Sequence, residues 1–220
     1  MTLTPIAHIQ TDFTEKFGIP RQSGLVPDLC GTIRFTPEFR HGEILRGLEG
    51  FTHLWLIWGF SEVSSWTPTV RPPRLGGNTR LGVFATRSPY RPNPLGLSAV
   101  EIERFEQDAA IIHVRGADIL DGTPIYDIKP YIPYADCIPT AKGGFADTAP
   151  IAVLQVQMPD TERTKLPTDR QSALMQVLAL DPRPSYQDDP TRMYGFAFAG
   201  FEIKFQVADD VLTVLDISPL

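Results

Sequence analysis

The sequence predicts a mainly β protein, a barrel or sandwich followed by a small α+β domain, and three observations carry that expectation. Seven short alternating or β-branched runs occupy the first 132 residues, with no long amphipathic helix between them. Twenty-one prolines and seventeen glycines separate these runs as turns require. The one strong helical pattern comes late, at 169–180, where Ala173, Leu174, Val177 and Leu178 share a face.

The elements follow in order. Residues 5–11 (PIAHIQT) form a short strand, 13–22 a loop ended by Pro20-Arg21-Gln22, and 29–35 a second strand. Residues 41–48 allow one or two helical turns before Gly50. The run 51–60 (FTHLWLIWGF) is nearly all apolar and predicts a strand buried on both faces. A strand over 81–86 follows a basic loop, and 97–105 with 110–115 make a hairpin closed near Gln107-Asp108. An Asp-Gly turn within 117–124 leads into a strand at 125–132.

Small and polar residues at 140–150 mark a boundary, giving domains 1–145 and 146–220. In the second, a strand at 151–157 precedes the helix, which Thr168 or Asp169 caps and Pro182 and Pro184 end. A meander then runs through 196–207 and 211–217, turning at Gly200 and Asp209-Asp210.

Composition narrows the function. The net charge of −6 and the 42% hydrophobic fraction are those of a soluble globular chain. Cys30 and Cys137 are far apart, which argues against a disulfide scaffold and for a reducing, cytoplasmic setting. No apolar run is long enough to cross a bilayer or serve as a signal peptide. The four scattered histidines give no support for a metal site, and GxGxxG, GxxxxGK[ST], HExxH, CxxC and GxSxG are all missing.

One stretch departs from this ordinary background. Between Val63 and Val100 stand Arg71, Arg74, Arg80, Arg87 and Arg91 with no acid among them, on a chain that is otherwise acidic. Pro89, Pro92 and Pro94 fix φ at three positions there, so Arg87, Ser88, Tyr90, Arg91 and Asn93 are presented in one shape with little entropy left to lose. Such a loop suits something anionic, planar or both, although proline-rich turns also serve as plain scaffolding.

Five colinear blocks sharpen the reading: FGIPRQSGL, RGLEGFTHLWL, RPPRLGGN, LGVFATRSPYRPNPLGLS and LDGTPIYDIKPYIP. Together they resemble the TrmO family of tRNA methyltransferases over most of 5–139. The DPRP at 181–184 and the preceding helix resemble the small C-terminal domain of its bacterial members, with 159–169 shorter than in longer relatives. The resemblance implies a single-sheeted β-barrel unrelated to Rossmann folds, with S-adenosyl-L-methionine as methyl donor. The acceptor it implies is N6 of threonylcarbamoyladenosine beside the anticodon of threonine tRNA. It further implies a homodimer with the cofactor near the subunit interface, and neither metal nor membrane.

Carried over position by position, the family's cofactor contacts fall on Pro20, Arg21, Gln22, His53, Leu54, Arg87, Leu97, Asp121, Gly122, Thr123 and Pro124. Arg87 or Arg21 can pair with the ligand carboxylate, Asp121 can meet an ammonium or ribose hydroxyl, and Leu54 with Leu97 can sandwich the adenine. Asp121-Gly122 also reads as an ordinary turn, and His53 as a hydrogen-bonded core histidine. The weakly nucleophilic acceptor N–H calls for a proton acceptor, for which Asn93 with Arg91 is the candidate pair and Tyr126 and Asp127 are alternatives. Arg71, Arg74 and Arg80 suit the phosphates of an anticodon stem-loop, and Tyr90 or Trp66 an unstacked base. A non-catalytic RNA- or cofactor-binding barrel, or a methyltransferase for another substrate, is the alternative.

Overall fold

The computed structural model describes residues 2–147, 154–183 and 189–220. The chain enters through β1 (Ala7–Thr11), β2 (Cys30–Phe35) and β3 (His53–Gly59). After a short ribbon, β4 (Thr69–Val70) with β5 (Leu81–Gly82), come β6 (Leu95–Glu106), β7 (Ile111–Arg115) and β8 (Pro124–Pro130). Six of these close an antiparallel barrel in the order β1-β2-β7-β6-β3-β8, with β8 returning to β1. Closure removes free sheet edges and gives every strand one inner face.

That inner face explains one departure from expectation. The 53–59 strand is not buried on both sides: Leu54, Leu56 and Trp58 point inward and are buried, whereas Trp55 and Ile57 on the outer wall stay partly exposed. Tyr131 covers part of that wall, its ring 5.5 Å from that of Trp55. The expected strand over 81–86 is also corrected. Pairing stops after Gly82, and Val83–Ala85 coil into a 3₁₀ turn. Arg91 holds this turn, its Nη1 donating to the carbonyls of Val83 (3.2 Å) and Thr86 (2.7 Å). The helical turns expected at 41–48 are two 3₁₀ turns, 42–45 and 48–50, separated by left-handed Gly47.

Beyond the barrel lie α1 (Pro133–Asp136), β9 (Gln155–Gln157), α2 (Asp160–Arg163) and α3 (Thr168–Ala179), then β10 (Met193–Phe198), β11 (Phe201–Ala208) and β12 (Val211–Pro219). The last three form the expected meander, and β9 joins its edge parallel to β12. Of the strand expected at 151–157, residues 151–153 lie outside the described residues, as does Pro184. Pro167, not Thr168 or Asp169, occupies the N-cap of α3, without a side-chain cap; Asp169 pairs with Arg170 at 2.7 Å instead.

The apolar side chains gather in two cores. One fills the barrel with Ile9, Ile33, Leu54, Leu56, Val100, Ile112 and Ile125 among others. The other lies between α3 and the meander, yet it also takes Phe13, Val26 and Leu29 from the β1–β2 connection. Polar contacts bind the same connection: Arg170 pairs with Asp12 at 2.8 Å, and Glu15 accepts the N–H of Ala197 at 2.6 Å. The connection is therefore clamped between two cores, and it carries Pro20-Arg21-Gln22.

Candidate cofactor pocket

A cavity of about 480 Å³ opens where that connection meets the end of β3, the proline loop, the start of β6 and the segment before β8. Its size is that of a pocket for a nucleoside-scale ligand. Arg91 gives the loop its shape by bridging the Val83 and Thr86 carbonyls, and its guanidinium lies 5.6 Å from the centre of the Phe84 ring. Arg87 donates through Nη1 to Oε1 of Gln22, which ties the proline loop to the β1–β2 connection across the cavity.

At the pocket wall, Trp58 Nε1 donates to Ser98 Oγ at 3.0 Å, and Ser98 Oγ donates to Asp118 Oδ1 at 2.6 Å. Burial pushes the Asp118 carboxyl above its usual range, with the Ser98 hydrogen bond pulling the other way. Gly96 sits against the Trp58 indole so closely that a Cβ there would lie 2.2 Å from the ring. The glycine is what admits the tryptophan to the wall.

Of the residues singled out by sequence, Pro20, Arg21, Gln22, Arg87, Tyr90, Arg91, Leu97 and Thr123 meet in this lining. Others fall elsewhere. Asn93 is exposed and outside the lining, its carbonyl accepting the N–H of Leu95 at 2.8 Å. His53 lies at the far end of β3, its Nδ1 2.9 Å from the Thr52 hydroxyl and its ring 6.2 Å from that of Tyr131. Leu54 cannot face Leu97 across an adenine: its side chain is 0% exposed inside the barrel, while Leu97 is 55% exposed on the outer wall. Asp121 holds the turn, its Oδ1 accepting the N–H of Thr11 at 2.9 Å, and Gly122 makes that turn at φ +73°. Pro124 begins β8 opposite His8. Arg71, Arg74 and Arg80 stand exposed on the β4–β5 ribbon, where Arg80 donates to Thr69 Oγ1 at 3.0 Å.

Sequence reasoning missed Trp58, Ser98 and Asp118. One signal was present: Ser98 is a hydroxyl at an inward position of an apolar strand, two residues before buried Val100. Such a group needs a partner. Among the described residues no cluster of three or more His, Cys, Asp or Glu could hold a metal ion, and no helix is long and apolar enough to cross a membrane.

A closed antiparallel barrel with a cationic, loop-built pocket at its rim defines a β-barrel protein outside the Rossmann class. The chain belongs to the tRNA-methyltransferase O family: the family's N-terminal domain matches residues 8–137 and its C-terminal domain residues 151–220. It is 38% identical to the tRNA (adenine(37)-N6)-methyltransferase of Escherichia coli over 226 residues, spanning 97% of this chain and 96% of that protein. The enzyme of that name from Eikenella corrodens is 45% identical over 71% of this chain and 91% of its own. The crystal structure of TrmO from Pseudomonas aeruginosa superposes with a TM-score of 0.84 at 35% identity, covering 99% of this chain and 98% of that one.

Proposed function

We propose that the protein methylates N6 of threonylcarbamoyladenosine at position 37, beside the anticodon of threonine tRNA, with S-adenosyl-L-methionine as donor. The observation that carries this reading is the pocket itself, where apolar walls from Leu97 and Tyr90 adjoin Arg21, Arg87 and the half-buried carboxyl of Asp118. An adenine, a carboxylate and a cationic centre each find a matching partner in that set, so the residues present fit the donor. Bound there, the donor supplies an electrophilic methyl group on a positively charged sulfur.

In this reading Arg21 and Arg87 hold the ligand carboxylate, Gln22 fixes Arg87, and Pro20, Leu97 and Thr123 shape the cavity. Asp121, Gly122 and Pro124, carried over from the family pattern, form the turn that holds Leu120 and Thr123 in the lining, whereas His53 and Leu54, carried over likewise, stand at the other end of β3. Arg91 holds the loop and offers positive charge to the acceptor carbonyl, and Asn93 is reached from the tRNA side. Arg71, Arg74 and Arg80 contact phosphates of the anticodon stem-loop, and Tyr90 stacks on a base. The outer wall carrying Trp55, Ile57 and Leu97 is the homodimer face, which brings the pocket near the interface. Residues 1–145 form the catalytic domain and 146–220 its C-terminal companion, at work in the cytoplasm.

Methyl incorporation from labelled S-adenosyl-L-methionine into threonine tRNA, with and without its threonylcarbamoyl group, tests the reading. Label in the modified tRNA alone supports it; label in neither overturns it.

A further inference from the structure

The pocket is unbalanced in charge. Its charged lining is Lys16, Arg21, Arg87 and Arg91 against Glu62 and Asp118. Glu62 is engaged at the exposed rim by Lys16 at 2.9 Å. Asp118 is held by neutral donors, the Ser98 hydroxyl at 2.6 Å and the main-chain N–H groups of Ser23 and of Asp118 itself, and among the described residues no cation forms an ion pair with it. Arg87 acts on it by charge without an ion pair. The Tyr90 hydroxyl is the remaining titratable group of the lining. A cationic cavity repels a cationic ligand, and the one anion able to counter that repulsion is a partly desolvated carboxylate, where charge interactions are strong.

We propose that Asp118 is the residue by which the pocket tells a positively charged sulfonium from the neutral thioether that remains when its methyl is gone. The inference rests on the pocket being an S-adenosyl-L-methionine site. The two ligands share adenine, ribose, ammonium and carboxylate, and differ by one methyl and one positive charge. Ser98, itself steadied by Trp58 Nε1 at 3.0 Å, fixes the carboxylate for this task. Donor is retained and spent ligand let go.

Burial raises the affinity of Asp118 for a proton, and an arriving cation lowers it. Donor binding therefore expels a proton wherever the empty pocket holds Asp118 protonated. Affinity for the sulfonium falls as pH drops through the range of that carboxyl, while affinity for the thioether does not. Glu62, exposed and paired with Lys16, affects both ligands alike.

The test is calorimetric titration of S-adenosyl-L-methionine and S-adenosyl-L-homocysteine into the full chain, across pH, for wild type, Asp118→Asn and Ser98→Ala. Wild type prefers the sulfonium by about tenfold or more, as one opposite-charge attraction in a partly desolvated site allows. Asp118→Asn brings the ratio near unity by weakening the sulfonium alone. Ser98→Ala, which removes the bond that favours the ionised carboxyl, moves the acid fall in sulfonium affinity to higher pH. Equal weakening of both ligands in Asp118→Asn, or an unchanged ratio, overturns the inference and leaves the functional reading standing. Should Asp118→Asn not fold, a wild-type sulfonium affinity that is flat with pH, or an unshifted Ser98→Ala profile, overturns it. A folded wild type that binds neither ligand overturns the functional reading as well.

Discussion

Asp28, at the mouth of β2, and Ser172, on α3, meet across the two cores: the Ser172 hydroxyl donates to Asp28 Oδ2 at 2.6 Å. The same carboxylate takes Gln176 Nε2 at 2.6 Å and pairs with Arg115 of β7 at 2.6 Å. The β1–β2 connection, α3 and β7 thus converge on one side chain.

Asp28→Ala should destabilise the protein by about 1–3 kcal/mol, since the charge-assisted hydrogen bonds that join α3 to β7 through this carboxylate disappear. Denaturant unfolding checks it. The Ser172 hydrogen bond, then Gln176 and Arg115, hold the Asp28 carboxyl below the usual range, against the effect of burial. A lowered folded-state value means its contribution is whole above the ordinary carboxylate range near about 3.9 and is lost as pH falls through the lowered value. Wild type should thus lose stability on acidification more steeply than Asp28→Ala.

Gly96→Ala places a methyl 2.2 Å from the Trp58 ring, which is held at Nε1 by Ser98. Overpacking of this kind costs about 1–3 kcal/mol. Tryptophan fluorescence and S-adenosyl-L-methionine affinity should change together; an unaltered affinity would mean the indole wall is not part of the ligand site.

Phe13 packs edge-on to Phe198, ring centres 5.3 Å apart, with both side chains fully buried. Phe198→Ala should cost about 3–5 kcal/mol. Because Phe13 anchors the connection that carries Arg21 and Gln22, the variant should also raise the KM for S-adenosyl-L-methionine. Steady-state kinetics well below the melting transition separate this effect from unfolding.

Each of Arg71→Ala, Arg74→Ala and Arg80→Ala should weaken tRNA binding and flatten its salt dependence, by about 0.7–0.9 in log–log slope for every phosphate no longer neutralised. Donor affinity should not change. Filter-binding titrations at several salt concentrations decide the matter, and a slope equal to that of wild type removes that arginine from the RNA path.

Asn93→Ala should lower the single-turnover methylation rate while donor affinity holds. A rate equal to that of wild type would relieve Asn93 of any catalytic part.

Much of this architecture was legible because period and punctuation agree. The 97–105/110–115 hairpin and the closing meander lie where alternation and turn residues predict them, and Ala199-Gly200 and Asp209-Asp210 all adopt positive φ. Local pattern failed where a distant group decides the outcome. Residues 81–86 alternate like a strand, yet Arg91 captures two of their carbonyls and the backbone coils. Leu54 sits in a nearly continuous apolar run, so no sequence period says which neighbours face the barrel interior. The family pattern points to Asp121 in its DG turn, whereas the Asp118 carboxyl in ADIL carries no local signal. Its partner, Ser98, is twenty residues away in the chain.

The β1–β2 connection leaves the barrel, lends Phe13, Val26 and Leu29 to the other core, and returns. Neither half can therefore melt alone. Heating should give one calorimetric endotherm in place of two, because loosening the meander strips the anchor from a segment whose ends are barrel strands. The exchange runs both ways: a small ligand gripping Arg21 and Gln22 should raise the melting temperature of strands β10–β12, which it never touches.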